Sequence, residues 1–356
     1  MTRRHFMQLM TTSAATVALQ GALGQTDVKR SLRLGFDSYS IRGLKWNTTQ
    51  MLDYAASLKL DMVQSSHGDF ESFEEPYLKK LKEHADRLGV YLEAGFACIC
   101  PLSKGFNKKQ LPPTQYLLDC IRITKTLGAT CFKVFMGNSS DRDGSVPIEQ
   151  LMESTIHVLK TVRSQAMDAG VKIALENHGD LLAREARTVI EQAGKEFVGC
   201  CLDSGNPTML LEDPFLTLEV LAPYVVTSHL RDTLLFEHPR GVAVQWVTLG
   251  NGVIDLERFT RRFSELCPKA PFQLEIIAGR TPRVLPCFEA DFWKPFPTMP
   301  ASDFARFLAL PRKPLPAEQP TAAASAAESG QRQRVDLESS LAYAKNKLGV
   351  GLKWQR

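Results

Sequence analysis

The amino-acid sequence predicts a (β/α)8 barrel, the TIM-barrel class, with a C-terminal extension. Three observations predict it. From about residue 32, short apolar runs alternate with longer amphipathic ones. The apolar runs are 4–10 residues long and rich in β-branched or aromatic residues, as parallel strands buried on both faces must be. Eight such strand–helix units follow one another in one register, which is the pattern of a closed parallel barrel. A doubly wound open sheet is the main competitor, but no GxGxxG follows the first apolar run.

The expected strands, in order, are LRLGFDSYSI (32–41), DMVQSS (61–66), VYLEAGF (90–96), TCFKVFMG (130–137), VKIALEN (171–177), VGCCLDSGN (198–206), VVTSHLRD (225–232) and FQLEIIAG (272–279). The helical patterns lie between them. TTQMLDYAASLKL opens on Thr and Asn cap candidates, and EPYLKKLKEHADRLG stops at Gly89. TQYLLDCIRITKTLG stops at Gly128 and IEQLMESTIHVLKTVRSQAMDAG at Gly170, both helix-stop signals. EARTVIEQAG, DPFLTLEVLAP and DLERFTRRFSELC complete the later units.

The barrel is expected over residues 30–310. Within it, TPRVLPCFEADFWKPFPTMPASD (281–303) is too rich in Pro and aromatics, and too long, for a simple loop. It reads as a lid over the barrel mouth, with Phe292 and Trp293 as apolar anchors. Residues 311–334 read as a low-complexity linker, and 335–356 as a last helix docking on the barrel. At the other end, TRRHFM precedes the hydroxyl-rich, weakly apolar stretch LMTTSAATVALQGALGQ. Residues 1–25 therefore read as a twin-arginine signal peptide, implying export to the periplasm or beyond.

The composition is that of a soluble globular protein, with 44% apolar and 23% charged residues. The formal net charge is only +4, and Arg3 and Arg4 supply part of it, so no nucleic-acid surface is expected. No segment holds the roughly 20 uninterrupted apolar residues of a membrane span, so stable insertion after signal cleavage is not expected either. Most of the eight cysteines fall in strand positions and read as buried free thiols rather than disulfides, and homo-oligomers are compatible with the composition.

The chemistry concentrates at the ends of the last four strands. Glu176, Asp203, His229 and Glu275 are spaced 27, 26 and 46 residues apart, one βα unit each, the last lengthened by a loop. In a barrel these strand ends converge on one mouth, where active sites lie. Three massed carboxylates would raise one another's pKa without a cation. Together with one imidazole they suit a single divalent ion: Mn²⁺, Mg²⁺, Co²⁺ or Zn²⁺, with Mn²⁺ favoured. A lone acidic residue or histidine at a strand end is more often a cap, but four in successive strands are not.

The motifs LENHGD, CLDSGNP, SHLRD, LGNGVIDLERF and LEI, spread from about residue 32 to 280, resemble the sugar phosphate isomerase/epimerase family of the xylose isomerase-like barrels. The resemblance implies that Glu176, Asp203, His229 and Glu275 hold one metal and that Glu176 and Glu275 also act as acid and base. A metal chelating a carbonyl and its neighbouring hydroxyl acidifies the intervening C–H and stabilises an enediolate. Proton return to the other face of the same carbon is epimerisation, and return to the adjacent carbon is isomerisation. Loss of a leaving group from the same intermediate makes a lyase or dehydratase acting on a keto-sugar. A non-catalytic carbohydrate-binding protein is the rival of a different class, but binding alone does not need a paired acid and base.

Other residues are candidates for substrate contact. His178 lies two residues past Glu176 and either contacts substrate, shuttles a proton or caps the loop. Asn206 binds a hydroxyl or shapes the turn before Pro207. Arg231 orients Asp203, binds substrate or pairs with Asp232. Lys133, inside the fourth strand, is costly to bury unpaired and lines the site if it points inward. His67, just past the second strand, is a further candidate. The chain departs from characterised ketose epimerases of the family at Leu182, where they have Glu, and at Leu235, where they have Arg. FACICP offers no imidazole for the three-zinc site of the superfamily's apurinic endonucleases, which argues against DNA repair.

Overall fold

A computed structural model describes residues 32–315 and 325–353. The stretch 1–25, expected to be a signal peptide, and part of the expected linker, 316–324, lie outside the described residues. Seven parallel strands follow one another: β1 (Leu34–Asp37), β2 (Met62–Ser66), β3 (Tyr91–Cys98), β4 (Cys131–Phe135), β5 (Lys172–Glu176), β6 (Val198–Asp203) and β7 (Val225–His229). Three hairpin strands come next, β8 (Asp232–His238), β9 (Gly241–Val247) and, after the eighth barrel strand β10 (Phe272–Leu274), β11 (Arg283–Leu285). A short β12 (Lys313–Pro314) joins them. The eight barrel strands run β10-β1-β2-β3-β4-β5-β6-β7. The ring closes through a single parallel bridge between Leu230 and Leu274, where Leu230 N–H donates to the Gln273 carbonyl at 2.6 Å.

The outer helices form where the amphipathic patterns place them: α1 (Thr48–Ser57), α2 (Glu75–Leu88), α3 (Pro113–Thr126), α4 (Ile148–Lys160), α5 (Arg163–Ala169), α6 (Ala183–Ala193), α7 (Pro214–Leu221) and α8 (Leu256–Leu266). Asn47 caps α1 in a capping box with Gln50, and Gly89 ends α2 in the left-handed conformation at φ 61°. One expected helix is two: the pattern over 148–170 breaks at Thr161–Val162 between α4 and α5. A short α9 (Ala301–Leu308) follows the hairpin strands.

Two expectations need correction. The linker expected over 311–334 is partly helix, since the last helix α10 runs Ala326–Asn346 rather than starting at residue 335. It packs against β10 and the 3₁₀ turn that follows β1, burying Leu337, Leu341, Ala344 and Leu348 in the barrel's main core. Lys345 donates to the Leu58 carbonyl, and the backbone N–H groups of Leu352 and Lys353 donate to Asp61. The extension thus supplies the helix of the eighth βα unit, α4 and α5 sharing the fourth. Second, the long spacing between His229 and Glu275 is not a loop but the β8–β9 hairpin, turning at Pro239–Arg240. With β11 and β12 it forms a separate sheet in the order β11-β9-β8-β12. The segment 281–303 therefore enters this sheet through β11. Phe292 and Trp293 are half-buried, Phe292 stacked on Phe296 and Trp293 edge-to-face with Phe304, and Trp293 Nε1 donates to the Cys287 carbonyl at 2.9 Å.

Two of the sequence motifs are joined by one carboxylate. Asp232, 1% exposed, accepts the backbone N–H groups of Thr233, Gly250 and Gly252 at 2.8–3.0 Å. SHLRD is thereby tied to LGNGVID. At Gly252 an added Cβ would lie 1.9 Å from Asp232 Oδ1, so no larger residue fits. Asp232→Ala is expected to destabilise the fold by about 3 kcal/mol, because several buried N–H donors lose their acceptor together. Urea unfolding midpoints measure this, and an unchanged midpoint would contradict the assignment. All eight cysteines are free and buried, and no described helix is long and apolar enough to cross a membrane.

Candidate metal centre and active-site cavity

Glu176, Asp203 and His229 are the last residues of β5, β6 and β7, and Glu275 follows β10 directly. Asp203 and His229 are register partners in adjacent strands, so their side chains start from one level of the barrel. One potential ligand atom from each of the four lies within 4.8 Å of all the others. His229 Nδ1 is 3.3 Å from Glu176 Oε1 and 3.5 Å from Glu275 Oε2. Glu176, Asp203 and His229 are wholly buried, while Glu275 reaches the cavity above.

The tautomer of His229 is set from below. Gln64 Nε2 donates to Glu93 Oε2 at 3.2 Å, which turns Gln64 Oε1 toward His229 Nε2 at 2.8 Å. That oxygen can only accept, so Nε2 carries the proton and the Nδ1 lone pair faces the carboxylates. Glu93 also accepts from Thr227 at 2.8 Å and Gln273 at 3.4 Å, and burial pushes its pKa up. The barrel interior below the cluster is thus a hydrogen-bonded polar network of the kind that orients metal ligands.

The electrostatics show a site short of positive charge. Burial raises the pKa of Asp203, with Glu176 adding to the rise and Arg231 opposing it. Burial likewise works against ionised Glu176, yet Lys133, His229 and His178 hold it well below the usual range. At His229 burial opposes the cation, while Cys201, Glu176 and Asp37 raise its pKa well above normal. Glu176 Oε2, Asp203 Oδ2 and Glu275 Oε2 are buried with no donor in hydrogen-bond geometry. Each of these oxygens lies beside Lys133 or Arg231, and three carboxylates converging with an imidazole within 4.8 Å fit a divalent cation.

The cavity above the cluster encloses about 670 Å³, and all five candidate substrate residues line it. Lys133 Nζ lies 3.3 Å from Glu176 Oε2, so its buried ammonium is paired. Asn206 Nδ2 reaches Glu176 Oε1 at 3.4 Å while its backbone N–H donates to Asp203, so it both shapes the turn and faces the cavity. His178 stacks on Phe135 with ring centroids 4.2 Å apart, and its Nδ1 donates to the Gly137 carbonyl at 2.8 Å. In the neutral ring this leaves Nε2 as an acceptor. His67 sits at the rim in an aromatic group with Phe73 and Phe96, away from the cluster.

Arg231 resolves among its three readings. It does not pair with Asp232, whose oxygens are taken by backbone N–H groups. Its Nε lies 2.8 Å from Asp203 Oδ2, its Nη2 pairs with Glu275 Oε2, and the guanidinium stacks 4.4 Å over Trp246. Asn177 and Asp180 are supports. Asn177 exchanges two hydrogen bonds with the Asp203 backbone, and Asp180 accepts the N–H groups of Gly137, His178 and Leu181.

Several residues of the site were not singled out from the sequence. Asp37 ends β1 and places Oδ2 3.6 Å from His229 Nε2, a strand-end carboxylate of the same kind as the quartet. Gln64, Glu93 and Gln273 were visible only as polar interruptions of apolar strands. Trp246 and Gln245 reach the cavity from β9, and Arg280 and Arg283 from the segment around β11. No local signal marks them.

A family model described as "Xylose isomerase-like TIM barrel" matches residues 52–286. A 3-oxo-isoapionate decarboxylase from Pectobacterium atrosepticum is 21% identical over 210 residues, 58% of this chain and 64% of that protein. The chain thus spans just under two thirds of that relative's length. Among solved structures, D-psicose 3-epimerase in the presence of D-fructose superposes with a TM-score of 0.59 at 14% identity, covering 90% of this chain and all of that one. The IOLI protein with a bound zinc atom superposes at 0.52 and 16% identity, over 87% and 98% of the two chains. These likenesses are of fold. With the matched region spanning most of the barrel and the strand order closing as described, the chain belongs to the xylose isomerase-like TIM-barrel family.

Proposed function

We propose that this protein is a divalent-metal-dependent enzyme that moves a proton on a sugar-derived carbonyl compound, as an isomerase or epimerase working through an enediolate. The observation that carries the reading is the pair of glutamates, Glu176 and Glu275, flanking the same imidazole nitrogen, with Glu275 lining the cavity and Glu176 buried beneath it. A divalent ion held by Glu176, Asp203, His229 and Glu275 would supply Lewis-acid polarisation of the carbonyl. The protein's own groups do the rest. One glutamate takes the proton from carbon and the other returns one. Lys133 pairs with Glu176 and Arg231 with Glu275, which holds the two carboxylates in place. His178 Nε2 and Asn206 face the cavity as acceptor and donor for substrate hydroxyls.

A second reading, a lyase or decarboxylase on the same kind of substrate, is favoured by the name of the Pectobacterium relative. It shares the intermediate and differs in what leaves. The basic, hydroxyl-rich N-terminal stretch supports a site of action reached by twin-arginine export, which fractionation of cells making the full chain would test.

Metal analysis of protein purified without chelator is expected to give about one divalent ion per chain, the number a single four-residue site holds. Incubation of keto-sugars in D₂O is expected to place deuterium on carbon with no loss of mass. Loss of CO₂ or water instead would select the second reading. Protein that neither holds metal nor exchanges any substrate hydrogen would defeat both.

A further inference from the structure

We propose that the substrate of this site carries an anionic group, a carboxylate in the leading case, held between the metal centre and the roof of the cavity by Arg280 and Arg283 with Arg231. The inference rests on the reading of the floor as a metal centre and names the class of substrate it takes.

The argument is one of charge. Four carboxylates meet at the floor: Asp37, Glu176, Asp203 and Glu275. Lys133, Arg231 and a divalent ion balance them. Among the described residues the cavity lining holds no acidic side chain beyond Asp37 and Glu275. Arg280 and Arg283 line the same cavity, and neither forms an ion pair with an acidic residue among the described ones. Their polar contacts are with neutral groups: the Arg280 carbonyl accepts from Gln245 Nε2 at 2.6 Å, and an Arg283 guanidinium nitrogen donates to Ser139 Oγ across the mouth. Arg231 contributes from below, since its Nη1 is buried with no partner in a residue only 2% exposed. That buried Arg231 donor is costly to leave unpaired, Arg280 and Arg283 stand exposed over the cavity, and the planar fork of each guanidinium matches a carboxylate.

Neighbouring charges agree. The pKa of Arg42 is lowered by burial, with Arg280 and Arg231 adding to the fall, so these three guanidiniums share one region of positive potential. Burial alone lowers that of Arg283. Around them the walls are apolar, with Met209, Val244, Trp246 and Ile277 shaping the space but supplying no charge. A neutral sugar would fill this cavity without engaging the charge of these guanidiniums. A keto-sugar acid, with its carbonyl at the floor and its carboxylate at the roof, satisfies both ends.

The test is calorimetric titration of the manganese-loaded full chain with three probes: D-fructose, D-fructuronate and D-fructose 6-phosphate. D-fructuronate is expected to bind roughly tenfold or more tightly than D-fructose, the range for hydrogen bonds to a charged group. In the Arg280→Gln/Arg283→Gln variant that preference should fall to within about twofold, with D-fructose affinity and metal content unchanged. The last two readouts show that the floor and fold are intact. Preference for D-fructose 6-phosphate over the keto acid would keep the anion and assign it as phosphate. Equal binding of all three probes, no binding of any, or a preference that survives the double variant would overturn the proposal. A metal-free preparation would instead defeat the metal-centre reading, so the two failures are distinguishable.

Discussion

Glu275→Gln is expected to lower turnover by about 10³-fold, the scale of a lost general acid–base group. The amide keeps an oxygen that can face a cation and nearly the same volume, so the metal content should stay close to one ion per chain. The loss should then appear in kcat more than in KM, because the group removed acts as the proton moves. Glu176→Gln should behave alike, with the added effect of breaking the pair with Lys133. Deuterium exchange from solvent, followed by NMR, reads both variants. A Glu275→Gln protein that exchanges within threefold of the parent would remove Glu275 from the chemistry.

Arg231→Leu is expected to have the largest effect on stability. The guanidinium is 2% exposed and reaches both Asp203 and Glu275, so its removal strands two buried carboxylates. Breaking a buried ion pair on one side costs about 3–5 kcal/mol. A divalent ion neutralises the same two carboxylates, so the cost should be smaller in saturating Mn²⁺ than in chelator. Arg231→Lys should lie between, since it keeps the charge but not the two-pronged geometry. Chemical unfolding with and without metal measures the difference. An identical cost in both conditions would mean that Arg231 and the cation do not share these carboxylates.

The quartet was legible because strand ends are local features. VKIALE, VGCCLD, VVTSH and FQLE each put one ligand-type residue at the close of an apolar run, and a parallel barrel sends every such close to one mouth. Asp37 carried no such signal, because the expected first strand runs on to Ile41, whereas β1 stops at Asp37 and a 3₁₀ turn follows. The support beneath was less legible. Gln64 and Glu93 read as polar interruptions, and only their meeting inside the barrel shows that they set the tautomer of His229.

The role of Arg231 illustrates the same limit. From spacing alone it faced Asp232, Asp203 or substrate. The outcome depended on the GNG loop, which occupies Asp232, and on the ring closure that brings Glu275 beside β7. Likewise, the 46 residues between His229 and Glu275 hid a hairpin whose alternation, DTLLFEHPRGVAVQWV, was in plain view but had no barrel position to fill.

The sequence by itself determined the barrel, its strand order and the four residues that converge, because strand period and burial on both faces act within each unit. Only the tertiary structure decided which charges are paired and which are left over. Lys133 and Arg231 are paired with the floor carboxylates, while Arg280 and Arg283 arrive over the cavity without an acidic partner among the described residues. Charge balance is a property of groups brought together from distant parts of the chain, and no local pattern records it.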